Sequence, residues 1–250
     1  MPAPHWIHSA AIRWACTGIA LAAACAPLSP KPEKTSEAPP VAAACPPALA
    51  AVASCLAGQD SAGAYYLIAM PHQWNGHLVL HAHGGPALGA PRPERSAADL
   101  ERWAIMVKAG YAWAGSTFRQ GGVEVRAAAE DTERLRQIFV GHVAQPRRTI
   151  LHRQSWGASV AARGGEMFTS TTQGQRPYDA VLLTSGVLAG GSRSYDFRTD
   201  LRVVYQYLCN NHPRPTEVQY PLNIGLPADA TLTQADLAVR VNECLGLDKP

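Results

Sequence analysis

Apolar and polar positions along the chain alternate between two periods. Residues 64–70 (AYYLIAM) form a short run rich in aromatic and apolar residues that stops at Pro71, and residues 77–83 (HLVLHAH) form a second. Asn75-Gly76 between them is a tight-turn signal, which predicts two strands paired as an antiparallel hairpin at a sheet edge. From 96 to 109, Leu100, Trp103 and Val107 recur at helical spacing, with Ser96 and Asp99 as a capping start and Gly110 as the stop. A strand follows over 111–118 (YAWAGSTF). The next helix, over 125–143, carries Leu135, Ile138 and Phe139 on one face and the Glu130/Arg134 pair on the other. Ile150 and Leu151 lead through Gln154-Ser155-Trp156-Gly157 into a small-residue helical stretch, and 179–186 (DAVLLTSG) is another apolar strand. Strands alternating with helices predict an α/β fold, a mostly parallel sheet with helices on both faces. After residue 190 the pattern is helical over 200–208, turn-rich over 210–215, extended over 220–227 and helical again, with a cap, over 233–245. That segment reads as a helical cap over the site.

In such sheets chemistry sits beyond the carboxyl ends of the strands. Three small-residue loops fall there: His83-Gly84-Gly85, the turn around Ser155, and Thr184-Ser185-Gly186. A strand, a sharp turn with serine at its apex and a helix make a nucleophile elbow, which pushes the hydroxyl out above the sheet. Gly157 stands two residues after Ser155, as the G-x-S-x-G pattern requires; Arg153 stands where the first glycine belongs. The following helix aims its N–H groups and positive dipole end at the same point.

With HAHGGP, YAWAGSTF, QSWGAS and DAVLLTSG in that order, the chain resembles the α/β-hydrolase superfamily of serine hydrolases, over roughly residues 64–190 and in the manner of secreted bacterial esterases and peptidases. The resemblance implies Ser155 as nucleophile, and the backbone N–H of Trp156 with that of Gly84 or Gly85 as the oxyanion hole; Pro86 has no N–H to give. It implies a small-molecule ester or amide substrate, an acyl-enzyme intermediate, no cofactor and no metal. In that superfamily an acid and then a histidine follow the serine. His212, in an Asn-Asn-His-Pro turn, is the one histidine after Ser155 and thus the candidate base, while Asp196 and Asp200 read as solvated residues near a helix start. Neither of the superfamily's last two strands is discernible. The chain therefore reads as a shortened hydrolase whose 179–186 strand is left as an apolar sheet edge.

Two other readings compete. His81 and His83, two apart on a strand, point to one face and suit a metal-dependent hydrolase. A non-catalytic envelope lipoprotein could retain the hydrolase scaffold for binding. Of Trp74, Trp103, Trp113 and Trp156, only Trp156 stands beside the serine; Trp103 lies on a helix's apolar stripe.

Composition narrows the setting. With 47% hydrophobic and 16% charged residues the chain suits a packed core, and a net charge of +3 without Lys/Arg blocks argues against nucleic acid. Arg13 precedes WACTGIALAAAC, an apolar stretch too short to span a bilayer but suited to a signal segment. It ends in LAAAC, which resembles a bacterial lipobox and implies cleavage before Cys25 and lipid on its thiol; the alternative is an ordinary signal cut after small residues. The expected organisation is a signal peptide over 1–24, a lipidated flexible tether over 25–44, an α/β core over 45–190 and the cap-like segment over 191–250. The protein is then exported, as an outer-membrane lipoprotein or a periplasmic or extracellular protein, and meets a membrane only through its lipid. Cys16 leaves with the signal. Cys45, Cys55, Cys209 and Cys244 remain, and local pairing, Cys45–Cys55 and Cys209–Cys244, is the simplest of three connectivities.

Overall fold

The computed structural model describes residues 35–85, 89–122, 124–172 and 174–247. The signal peptide, Cys25 and Pro86 lie outside them. Seven strands run β1 (Val41–Ala43), β2 (Ala53–Gln59), β3 (Tyr65–Pro71), β4 (His77–Ala82), β5 (Ala112–Ser116), β6 (Arg148–Gln154) and β7 (Ala180–Thr184). The helices are α1 (Glu94–Arg102), α2 (Ala104–Lys108), α3 (Val125–His142), α4 (Gly157–Met167), α5 (Gly190–Cys209) and α6 (Gln234–Leu245).

The strands form one mixed sheet in the order β1-β2-β3-β5-β4-β6-β7. The β5-β4-β6-β7 part is parallel, and β1 to β3 add an antiparallel wing. Side chains alternate across it. Ile68, Leu78, Leu80 and Ala114 face Leu135, Ile138, Phe139 and Ala161 of α3 and α4, whereas Leu67, Ala69, Val79 and Trp113 face Leu100, Ala104 and Val107 of α1 and α2. Each fully buried Leu, Ile or Phe contributes about 1.5–3 kcal/mol to this double-sided core.

The predicted β3–β4 hairpin does not form. β5 inserts between them, antiparallel to β3 and parallel to β4. All five residues of β5 are buried, so this strand needs a partner on each side. The Asn75-Gly76 turn is present, with the Asn75 side chain accepting from the N–H of His77 and Gly76 at φ 85°, but it launches a crossover. The single helix expected over 96–109 is two: Trp103, at φ −106° and ψ 19°, breaks it. Helix α1 starts at Glu94, so Ser96 and Asp99 are interior positions and not a cap. Strand β1 begins at Val41, inside the stretch assigned to the tether, and the Glu37 carboxylate already accepts from Ser61 N–H and Oγ–H at 2.8 and 2.5 Å.

Both expected disulfides, Cys45–Cys55 and Cys209–Cys244, are formed. Helix α6 is capped as expected, and the cap is a capping box of Thr233 with Asp236. Helix α5 buries none of its residues, and β7 is a sheet edge among the described residues, with Val181 42% and Leu182 49% exposed. Among the described residues no helix is long and apolar enough to cross a membrane.

Candidate functional site

Strand β6 ends at Gln154 and α4 starts at Gly157, which leaves Ser155 at the apex of a two-residue turn. Its φ is 58°, a left-handed conformation that non-glycine residues adopt at a cost of about 1 kcal/mol or more. The neighbouring loop holds it there. Ser155 N–H donates to the Thr184 carbonyl at 3.1 Å, Val187 N–H donates to the Ser155 carbonyl at 3.3 Å, and the Ser159 hydroxyl donates to the Val187 carbonyl. Ser155 is solvent-exposed, and its hydroxyl makes no hydrogen bond to a described residue.

Gly157 is required by what lies beneath it. A Cβ there would sit 1.7 Å from Arg153 Nε and 2.3 Å from its Cζ. Arg153 occupies the first-glycine position of the serine motif, and its side chain fills the space under the elbow. That guanidinium is wholly buried, its Nε and Nη2 have no hydrogen-bond partner among the described residues, and it lies 6.0 Å from the Phe118 ring centroid, at the limit of cation–π range. Burial pushes its pKa well below the usual arginine value, against the attraction of Asp99. A buried charge so poorly solvated costs stability. Arg153→Met is therefore expected to stabilise the fold by about 1–4 kcal/mol. Urea unfolding at neutral pH measures this; a destabilised variant would mean that Arg153 is better solvated than its surroundings suggest.

Beside the elbow is a cleft of about 400 Å³, lined by His83, Gly84, Gly85, Asp99, Trp103 and Ser155 among others. A Cβ on Gly84 would come within 3.5 Å of the Gln154 carbonyl, so the glycine loop after β4 and the turn after β6 are in contact. Gly85, at φ 73°, uses glycine's freedom to turn the loop. Among the described residues, the backbone N–H groups of Gly84, Gly85 and Trp156 donate to no carbonyl outside the helices and ladders.

Behind this wall is a polar cluster that the sequence pattern concealed. His83 Nδ1 lies 2.5 Å from Asp99 Oδ2, and His81 Nε2 lies 3.8 Å from the same oxygen. His81 Nδ1 meets His152 Nδ1 at 3.0 Å, while Trp103 and Trp113 pack against the His81 ring, with centroids at 5.9 and 5.4 Å. Burial would raise the pKa of Asp99, but hydrogen bonds from His81 and His83 outweigh it and hold the carboxyl well below its usual range. Burial pulls both His81 and His152 down to about 4.

The structure thus brings Ser155 together with Gly84 and Gly85, while Trp156 follows at the head of α4 and lines a small adjoining cavity with Gly85. It does not bring His212. That residue is in the loop after α5, 2.9 Å from the Tyr220 hydroxyl through Nδ1, and it does not line the cleft. The α5–α6 disulfide and the Arg240–Glu217 ion pair hold that loop to its own helices. No residue of α5 or α6 lines the cleft, although the start of α5 approaches the Trp156 ring. His81 and His83 do share a face, yet their Nδ1 atoms point to His152 and Asp99 instead of a common position, and among the described residues no three His, Cys, Asp or Glu side chains are grouped to hold a metal. Asp99, Arg102 and Trp103 are the cleft residues to which sequence reasoning gave no place in the site. Ser96, Asp99 and Trp103 follow each other at three- and four-residue steps, which would have put Asp99 on the inward stripe of the helix.

No family model and no curated protein match the chain. Among solved structures, an inhibited esterase B from Lactobacillus rhamnosis aligns with TM-score 0.42 and 14% identity over 60% of this chain and 53% of that one. A thermostable carboxyl esterase from Bacillus coagulans aligns with TM-score 0.38 and 18% identity over 64% and 52%. Prolyl oligopeptidase B from Galerina marginata gives 0.37 and 13% over 54% and 21%. The chain spans about half the length of the esterases it matches.

Proposed function

We propose that this chain, an α/β-hydrolase by fold, is a serine hydrolase that cleaves a carboxylic ester or amide through an acyl-enzyme at Ser155. The observation that carries this reading is the elbow: an exposed serine at φ 58° between β6 and α4, in one cleft with Gly84 and Gly85. Attack of the serine oxygen on a carbonyl moves negative charge onto the carbonyl oxygen. Fixed backbone N–H dipoles stabilise that charge without reorganising, and losing one typically costs ~10²–10³ in rate. The N–H of Trp156 and of Gly84 or Gly85 are assigned this role, supported by their lack of other carbonyl partners, and the N-terminus of α4 adds its dipole. The two disulfides fit an oxidising compartment, which agrees with export and with a lipid anchor at Cys25.

The test is covalent. Mature protein and Ser155→Ala are treated with a fluorophosphonate probe, and the adduct is located by mass spectrometry. Labelling confined to Ser155, and lost in the variant, is the expected result. Unlabelled but folded wild-type protein would remove the hydrolase reading and leave an envelope lipoprotein on a hydrolase scaffold.

A further inference from the structure

We propose that His83, held by Asp99, is the general base for Ser155, so that base and acid precede the nucleophile in the chain. The inference rests on Ser155 being the nucleophile. Its own support is the arrangement of three side chains around one cleft. A carboxylate that accepts from Nδ1–H fixes an imidazole in the tautomer whose Nε2 carries a lone pair. Asp99 stands in that relation to His83 at 2.5 Å, and His83 Nε2 bonds to no described residue. The His83 side chain is 16% exposed, so the ring is held yet still reachable from the cleft.

Strand geometry brings base and nucleophile to the same place. β4 and β6 are adjacent and parallel, with His81 opposite His152. β4 ends at Ala82 and β6 at Gln154, so His83 and Ser155 are the first residues past the carboxyl ends of these two adjacent strands, and both line the cleft. The other histidines are less suited. His81 is 2% exposed and engaged with His152 and two tryptophans, and His212 is bonded to Tyr220 away from the cleft. Asp99 is set to remain ionised and to stabilise an imidazolium, because the hydrogen bonds it accepts outweigh its burial.

The steps balance with water as the only co-reactant. The Ser155 hydroxyl proton passes to His83 Nε2 as the Oγ–carbon bond forms and the carbonyl π pair moves onto oxygen. When the oxyanion collapses, the bond to the leaving group breaks, and that group takes the proton from Nε2. Water then loses a proton to Nε2 as its oxygen bonds to the acyl carbon. Breakdown releases the carboxylic acid and returns the proton to Oγ.

The experiment follows fluorophosphonate labelling of Ser155 against pH in mature wild type, His83→Ala, Asp99→Asn and His212→Ala, with circular dichroism confirming the fold of each. His83→Ala is expected to label about 10²–10⁴-fold more slowly, with added imidazole restoring part of the rate. Asp99→Asn is expected to slow labelling and displace its pH profile, and His212→Ala to label as wild type. The charged and titratable groups sharing the cleft with His83 are Asp99 and Arg102 from α1, His81 on its own strand and Arg153 from β6, with His152 behind His81; among the described residues Asp99 alone makes a hydrogen bond or ion pair with it. Labelled wild type with a folded His83→Ala that labels at the same rate, or that slows without responding to imidazole, overturns the base and leaves the nucleophile standing. Unlabelled folded wild type overturns both. If His83→Ala fails to fold, Asp99→Asn decides, and an unchanged pH profile rules the dyad out.

Discussion

Stability is expected to fall steeply as pH drops from about 6.5 to about 4, by roughly 3 kcal/mol or more for the coupled His81–His152 pair taken together. Both imidazoles are almost fully buried, at 2% and 1% exposure, and are held neutral by burial, with the Arg153 charge adding to the effect. Their folded values, about 4, lie below the unfolded value near 6.5. Within that window the unfolded chain binds protons that the folded chain refuses, so acid favours unfolding. The penalty is absent above the unfolded value and complete below the folded one. Asp99 does not offset it: its carboxyl is held well below the usual range, so its contribution persists through the window and is lost only at lower pH. Two sites titrating together give a slope of up to about 2.7 kcal/mol per pH unit, large against total stabilities of roughly 5–15 kcal/mol. Urea melts at pH 7, 6 and 5 measure it, and His152→Phe, with one site removed, should show about half the slope. Equal midpoints at pH 7 and pH 5 would mean that the rings are charged or hydrated in the folded state.

The same histidines explain why the candidate site was only partly legible in the sequence. The elbow was legible because its signal is local: an apolar run, a serine, a glycine two residues on and a small-residue helix all lie within one short segment. The glycine loop after β4 was legible for the same reason. The cluster behind it was not, because it joins β4, α1 and β6 through space. Asp99 comes 16 residues after His83, and reading it as part of a helix cap gave it a sufficient local role. Trp103 fitted a hydrophobic stripe, and nothing in helical spacing says that a residue on the stripe will break the helix and pack edge-on against a histidine. Arg153 was visible as a departure from the motif, but the reason Gly157 must be glycine appears only when the guanidinium is seen beneath it.

At the level of the fold, strand positions followed from apolar runs and turn residues, whereas strand order did not. An Asn-Gly turn between two apolar runs favours a hairpin only if no better partner exists. The fully buried β5 is that partner, and a crossover preference of this kind is tertiary in origin. The amphipathic pattern of α3 was likewise read correctly for its apolar face. Its buried polar residues, Asp131, Glu133 and Arg136, are where periodicity alone says too little.

Glu133→Ala is expected to destabilise the fold by about 3–5 kcal/mol. Glu133 is 6% exposed and Arg136, one turn on, is 4% exposed. Arg136 Nε lies 3.0 and 2.9 Å from the two carboxylate oxygens and Nη2 lies 2.7 Å from Oε1, a grip that a lysine could not reproduce. The Tyr178 hydroxyl donates to Glu133 Oε2 at 2.5 Å and the Gln137 amide donates to Oε1 at 3.2 Å, so this carboxylate joins α3 to the segment that enters β7. Truncation removes the carboxylate that grips the Arg136 guanidinium in a low-dielectric layer, and the desolvation imposed on both groups is then less well repaid. Glu133→Gln, which keeps the shape and part of the hydrogen bonding, should cost less. The double variant Glu133→Leu/Arg136→Met should recover most of the loss, because it removes both charges and fills the space with carbon. Chemical unfolding of the three variants separates these contributions: a loss below about 1 kcal/mol for Glu133→Ala, or a double variant no better than the single one, would show that water reaches this pair and that its burial is not what makes it matter.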